Sequence, residues 1–517
     1  MPGAVSKPRK LHGRFLHITD MHPDGHYRTH AAESKACHRK DHETKKKNKN
    51  NSGYYGSAYS ECDSSFRLTN FTLDFLAKNW AHEIDFVIWT GDSARHDNDH
   101  QIPRTPDEIF DLNRAVTAKM EHTFTRRGIP VVPSLEFSSI WKTFIPFTYR
   151  QVFQRGAYYA TEIFPDELAV ISLNTLYFYD SNKVVNGCPY DDPEDPGNLE
   201  LDWLEVQLQS YYDRDMKVYI SGHVPPSPGN YFPECYVRYV ELALRFQNVV
   251  VGHLFGHMNI DHFFFLESID LDIIPEEKKQ LRATGNDEAL YDVLLNEFKA
   301  LPAPKKVNYD EYVVVNVAPS VVPQYLPSFR IFSYNVTETR ENVEQKKKKK
   351  KRSKKPPKRK HGHRRGDGGN KTSLCKKPKY ENSWKCHLDE PWNSDEDSPS
   401  RTNTFLSPLG YAQYNMPNLD DANKTNPPRY ELEYVTFPLE SLRPSEDSGA
   451  EVFEYPIPPQ FLPEELLDAS VTKSKYAPYR MEDLTIPSWV RLARRVADDK
   501  RVKLRKKFKK YMFAGAW

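Results

Sequence analysis

No stretch of about 18 apolar residues occurs in the chain, and its first twenty residues, MPGAVSKPRKLHGRFLHITD, lack the apolar core of a secretory leader. A visible membrane anchor or signal is therefore not expected in it. Cysteine is sparse too. Six cysteines in 517 residues are too few and too scattered for a disulfide-built mini-fold, and no pair has the two-to-four-residue spacing of a zinc finger. The even count still permits bridges such as Cys37 with Cys62. Glycine is scarce, 22 against 39 prolines, and 38% of residues are hydrophobic, which suits a soluble enzyme with long polar loops. Net charge is also nearly absent: 73 basic and 71 acidic residues leave +2, so no global field drives binding. The charge is segregated instead, in a block made of Lys346 to Lys351, Arg352, Lys354, Lys355, Lys358, Arg359, Lys360, Arg364 and Arg365.

What the chain does have is length for one large α/β domain with insertions, or for two domains. Strand-like runs at Phe15–Thr19, Phe86–Thr90, Leu168–Leu173, Lys217–Ser221, Val249–Gly252, Tyr312–Val317 and Phe329–Tyr334 alternate with helical stretches near Phe66–Trp80 and from about Leu199. That alternation predicts a layered α/β fold, a β-sandwich flanked by helices. The expected organisation is an N-terminal tail (1–13), a main domain (14–340), a disordered lysine-rich insertion (341–428) and a C-terminal segment (429–517). In that last segment YELEYVTF reads as a strand and Met481–Arg495 as a helix, returning to pack on the main domain.

Four of these strands end abruptly in carboxylate, imidazole and glycine: FLHITDMH, FVIWTGDSARHD, VYISGHVPP and VVVGHLFGHMN. The side chains so placed are Asp20, His22, Asp92, His223 and His257. Together they suit two divalent ions held about 3.5–4 Å apart, which can bind a phosphate between them and acidify a water. Asp92 is the candidate bridging ligand, because its two oxygens can each serve a different ion, and the preceding Gly91 lets the backbone turn tightly. Asp20 and His22 would serve one metal; His223 and His257, with Asn259 as a neutral candidate, would serve the other. His96 is the expected proton donor to the leaving group or contact to a phosphate oxygen, and Arg95 a substrate-binding residue. Singly, a D-x-H or a G-D is common. In order, and all at strand ends, the set is specific. Among the 18 histidines, His253 and His262 flank His257 and are its strongest competitors.

The segments GRFLHITDMHPD, ACHRK, GYYG, DFVIWTGDSARHDND, YISGHVPP, VVGHLFGHMNIDHFF and KYAPYRMEDLTIPSW make the chain resemble calcineurin-like metallophosphoesterases, and within them the fungal vacuolar endopolyphosphatases. The resemblance implies hydrolysis of internal phosphoanhydride bonds in long-chain inorganic polyphosphate with two divalent metal ions (Mn, Mg, Zn, Co or Fe). It also implies a vacuolar location with a lumenal catalytic part behind a membrane anchor, and glycosylation. Sequons begin at Asn70, Asn335, Asn370 and Asn423, and another at Asn50. No nucleic-acid partner is expected. The D-x-H, the Asp92 and His96 spacing and GHVPP also resemble acid sphingomyelinases more distantly, so the alternatives are a sphingomyelinase-like phosphodiesterase and a non-catalytic polyphosphate-binding protein.

Against this family the chain lacks the G-N-N-D loop, with its metal-binding Asn, that should follow GIPVVPSL; Leu135 runs directly into EFSSIWKTF. The expectation is impaired activity in this chain. The lysine block reads either as a solvated loop or as a cationic arm that draws in a polyanion.

Overall fold

The computed structural model describes residues 11–40, 51–134, 140–272, 287–337, 375, 377–378, 380–381, 383–388, 395–443 and 455–515. In chain order its strands are β1 (Arg14–Ile18), β2 (Pro23–Asp24), β3 (Ser64–Ser65), β4 (Phe86–Trp89), β5 (Val131–Pro133), β6 (Tyr159–Phe164), β7 (Leu168–Ser172), β8 (Lys217–Ser221), β9 (Val250–Phe255), β10 (His262–Glu267), β11 (Tyr312–Val317), β12 (Ser328–Tyr334), β13 (Pro408–Asn415) and β14 (Glu431–Val435). The longer helices are α1 (Phe66–Asn79), α2 (Pro106–Thr123), α3 (Arg150–Gly156), α4 (Pro196–Asp213), α5 (Pro233–Arg245), α6 (Asp287–Ala300), α7 (Ile486–Ala497) and α8 (Val502–Met512).

One six-stranded sheet runs β14-β13-β12-β1-β4-β5 and the other β10-β11-β9-β8-β7-β6. Within the first, β1, β4 and β5 are parallel; within the second, β7, β8, β9 and β11 are parallel. Strands buried on both faces read as continuous apolar runs, and RFLHI and FVIW are buried throughout. Phe15 stacks between Phe86 (4.7 Å) and Phe332 (4.9 Å) and meets Tyr219 of the opposite sheet at 5.1 Å, so the two sheets share one core. Outside the first sheet lies α1, capped by the Ser65 hydroxyl accepting from Leu68 N; its Phe75 meets Phe329. Outside the second lie α4 and α5. This is the layered α/β architecture expected, and each anticipated strand forms, with the Val249–Gly252 run extending to Phe255.

Two boundaries are corrected. The expected insertion at 341–428 contains β13, hydrogen-bonded between β12 and β14 inside the first sheet. Its central polar residue, Gln413, is buried because Arg330 Nε donates to it and it donates to Glu433, so the strand does not show the alternation that solvent would impose. The lysine block at 346–365 lies outside the described residues. The helix expected from Met481 begins at Ile486, after Thr485 and with Pro487 in the first turn, where a missing N–H costs no intrahelical bond. The C-terminal segment does pack on the main domain: β14 joins the first sheet, and α7 lies against α6 and β11.

Disulfides join Cys37 to Cys62, Cys188 to Cys235 and Cys375 to Cys386, using all six cysteines. Asn70, on α1, and Asn423 are exposed; Asn335 is partly buried and donates to Asn403. Asn50 and Asn370 lie outside the described residues. Among the described residues no helix is long and apolar enough to cross a membrane.

Candidate functional site

The parallel strands of both sheets deliver their C-terminal ends to one rim, where open α/β sheets leave room for ligands. After β1, the chain turns through Asp20 and His22; after β4, through Gly91 and Asp92; after β8 comes His223; after β9, Gly256 and His257. Asp20 (φ 51°), His22 (φ 38°), Asp92 (φ 54°), His257 (φ 70°) and Asn259 (φ 59°) all sit in the left-handed region that residues with a Cβ avoid. Backbone contacts hold them there. Asp20 N donates to Gly91 O and Met21 N to Asp92 O, joining the first two turns; Gly256 N donates to His223 O, joining the other two. Glycine is required at 256, because a Cβ would lie 2.1 Å from Thr19 Oγ1 and 2.6 Å from Asp20 Oδ2. The resulting close approach lets His257 N donate to Asp20 Oδ2 at 3.0 Å, which ties the second sheet's rim to the first.

Four ligand atoms converge. His22 Nε2 lies 3.6 Å from Asp20 Oδ1 and 3.4 Å from Asp92 Oδ2; His223 Nε2 lies 3.9 Å and 3.3 Å from the same two atoms. Each imidazole is oriented from behind: His22 Nδ1 donates to Ala94 O at 2.7 Å and His223 Nδ1 to Thr90 O at 2.9 Å, leaving Nε2 turned inward. His257 completes the ring of side chains, 5.1 Å from His223 between ring centroids.

Electrostatics give the reason for this clustering. Burial alone would raise the carboxyl pKa of Asp20 and Asp92, yet the imidazoles of His22 and His223 hold both below the ordinary carboxylate value. Conversely, burial would lower the two imidazoles, but Asp92 and Asp20 raise His22 to about 10 and Asp20 and Asp92 raise His223 to about 9. His257, lowered first by burial and then by His223, falls to about 4 and stays neutral. One buried and one partly buried carboxylate thus require positive charge, and inward-facing nitrogens and oxygens with backs already hydrogen-bonded are the donor set of a divalent cation. The residues fit a metal.

No protein-family model matches the chain. An endopolyphosphatase from Cryptococcus neoformans var. neoformans is 37% identical over 96% of this chain and 91% of its own length. The chain belongs to the endopolyphosphatase family. A second endopolyphosphatase, from Schizosaccharomyces pombe, is 30% identical over 95% of this chain and 84% of its own, and one from Saccharomyces cerevisiae 32% identical over 65% and 63%. Among solved structures a dimetal phosphatase from Danio rerio is 11% identical, with a TM-score of 0.33, covering 63% of this chain and 93% of that one; the likeness is too loose to bear on the fold.

Other anticipated residues of this endopolyphosphatase chain fall variously. His96 lines the cleft of about 370 Å³ beside His22 and Asp92, half exposed, its ring stacked 4.0 Å from His22. Asn259 stands on the same rim and donates to Gln324, while its buried Oδ1 has no hydrogen-bond partner among the described residues. Arg95 is not brought to the cleft: its guanidinium is fully buried, paired with Glu108 at 2.6 Å and donating to the carbonyls of His96 and Ile102. Arg104 takes the cleft-lining place instead. His253, on β9, bonds Tyr239 of α5 and His262 bonds Ile260 O, and burial lowers them to about 3 and about 4; neither is turned to the place of His257. The stretch 135–139, where the G-N-N-D loop was expected, lies outside the described residues.

Two supports carried no sequence signal. Asp63 accepts from both the backbone N and Nδ1 of His96, at 2.8 and 2.6 Å. His38, buried, bridges Asp24 at 2.8 Å and Asp99 at 2.7 Å, and Arg39 also binds Asp99. The Cys37–Cys62 disulfide lies next to both, since His38 follows Cys37 and Asp63 follows Cys62. The loop that carries His96 is therefore clamped at two points beside one covalent tie.

Proposed function

We propose that this chain hydrolyses internal phosphoanhydride bonds of long-chain inorganic polyphosphate, giving shorter chains. The observation that carries this reading is the convergence of Asp20, His22, Asp92 and His223 at one rim, in a chain of the endopolyphosphatase family. Asp20, His22, Asp92, His223 and His257, with Asn259, would hold two divalent ions of the Mn, Mg, Zn, Co or Fe type. When bound, such ions supply positive charge to the phosphate oxygens and acidify the attacking water.

The chain's own residues do the rest. Asp63 fixes the His96 ring with Nδ1 donating to its carboxylate, so Nε2 faces the cleft without a protein partner among the described residues. As water oxygen bonds to phosphorus and the bridging P–O bond breaks, the proton on Nε2 passes to the leaving phosphate oxygen. Arg104, on the cleft wall, offers charge to a neighbouring phosphate of the chain.

Further parts of the reading rest on the family resemblance. The enzyme works in the vacuolar lumen; three disulfides suit an oxidising compartment, and exposed Asn70 and Asn423 are accessible for glycosylation. Lacking the G-N-N-D loop, the chain turns over more slowly than a version with that loop inserted after Leu135.

The test is gel analysis of long-chain polyphosphate incubated with the purified chain and Mn²⁺, with Asp92→Ala as control. Progressive shortening that the control abolishes supports the reading. Intact substrate with the chain, alongside shortening by the loop-inserted version, would locate the defect in the missing loop; intact substrate with both would refute the function.

A further inference from the structure

A cavity of about 540 Å³, remote in sequence from the proposed metal ligands, is lined by Lys299 of α6, Arg491, Arg494 and Arg495 of α7, and Arg501, with Asp498 the one acid on its wall among the described residues. From Arg501 the chain enters α8, whose sequence VKLRKKFKKYM holds six cations and no carboxylate. Two of the six are engaged: Arg505 binds Asp499 and the carbonyls of Val496 and Ala497, and Lys509 lies over the Tyr291 ring. The other four, Lys503, Lys506, Lys507 and Lys510, fall at i, i+3, i+4 and i+7, one face of a helix. None makes an ion pair or hydrogen bond among the described residues, and Lys503, Lys506 and Lys510 are exposed.

That face points somewhere useful. The opposite face is apolar and fixed: Phe508 packs on Phe263 and Phe298, and Tyr511 and Met512 are buried. The helix ends where Met512 O accepts from Asp261 N, two residues past Asn259 on the metal rim, and Phe513 meets Tyr325 beside Gln324, the partner of Asn259. The helix is roughly 16 Å long, and its lysine row from Lys503 to Lys510 covers about 10 Å of it, running from the cationic cavity toward the rim.

We propose that the cavity at Arg491, Arg494, Arg495 and Arg501 and the Lys503, Lys506, Lys507 and Lys510 face of α8 form a binding track for the distal part of a polyphosphate chain whose scissile bond lies at the metal rim. Like charges at i, i+3 and i+4 repel one another, and among the described residues only Glu465 near Lys507 and the buried Glu433 near Lys510 offset them; a linear polyanion removes the remaining cost along the whole row. Crowding in the cavity has the same sign: burial first, then Arg501, Arg480 and Arg491, holds Arg495 below the usual guanidinium value. A short anion would fill one end only, so the track favours long chains and holds them away from their termini, as internal cleavage requires. The inference rests on polyphosphate as the substrate.

The test is binding of long-chain polyphosphate to the full chain in excess chelator, where hydrolysis is silent, measured against salt. Replacing Lys503, Lys506 and Lys510 together by Gln should weaken binding of long chains about tenfold and flatten the slope of log Kd against log salt, with tripolyphosphate binding unchanged. The triple Arg replacement, K503R/K506R/K510R, should bind as the parent does, which excludes a folding defect. Unchanged long-chain affinity in the Gln variant, or an equal loss for tripolyphosphate, overturns the track. Unchanged polyphosphate binding with lost binding to vesicles containing phosphatidylserine also overturns it, giving the surface to a membrane. Hydrolysis by the parent with Mn²⁺ is scored separately, so failure of the catalytic reading is distinguishable from failure of the track.

Discussion

The two rims of the β-sandwich treat the same side chain in opposite ways. At the metal rim, Asp20 is buried and Asp92 partly so, yet both are held as anions, because His22 and His223 face them. At the far rim, where Glu267 pairs with the start of β11, burial raises Asp270 to about 6, and burial with repulsion from neighbouring carboxylates raises Glu267 to about 7 and Glu297 to about 8. A carboxyl cluster thus becomes a seat for cations only where the fold also supplies imidazoles oriented from behind. Without them burial simply returns the proton.

The largest effect should come from the metal rim. Asp92→Ala should lower polyphosphate hydrolysis by about 10³-fold or more and reduce bound metal per chain, read by elemental analysis, whereas Glu297→Gln should leave both unchanged. Metal loss in Glu297→Gln would break the comparison. Removing metal with a chelator should abolish activity and lower the melting temperature by a few degrees, roughly what about 1 kcal/mol of lost binding produces, and Mn²⁺ should restore both.

A smaller effect tests what props the rim from outside. Replacing Cys37 and Cys62 by Ser should cost about 3 kcal/mol in urea unfolding through the freed loop, and should depress kcat beyond the unfolded fraction, because His38 and Asp63 lose their common tie. Equal loss of activity and of folded protein would reduce the bridge to a staple.

The subtlest effect belongs to the far rim. Burial, then Asp270 and Glu267, raises Glu297 to about 8 from an ordinary carboxyl value of 4.5, so the folded state binds the extra proton. Its contribution is full below about pH 4.5 and is lost as pH rises through about 8. Urea midpoints should therefore fall across that window, and Glu297→Gln should flatten the fall.

The convergence of Asp20, His22, Asp92 and His223 was legible in the sequence because each follows the end of a buried run of β-branched and aromatic residues, and that change of chemistry needs no partner to be recognised. Its supports were not. Asp63 serves His96, and Asp24 and Asp99 serve His38, across loops whose folding brings distant residues together. Arg95 looked like a free cation beside the site because Glu108, which neutralises it, lies one turn into α2. β13 was hidden for a related reason: Gln413 reads as solvent-facing, yet it is buried against Arg330.

The position of β1 sets a timetable. It precedes both β4 and β12 in the chain but lies between them, and the carbonyls of Thr19 and Asp20 wait for the amides of Val321 and Val322. The near end of β12's sheet then waits for β13 and β14, made later still. A growing chain therefore holds an open strand edge from β1 until β12 to β14 have been made, and is exposed to aggregation over that interval.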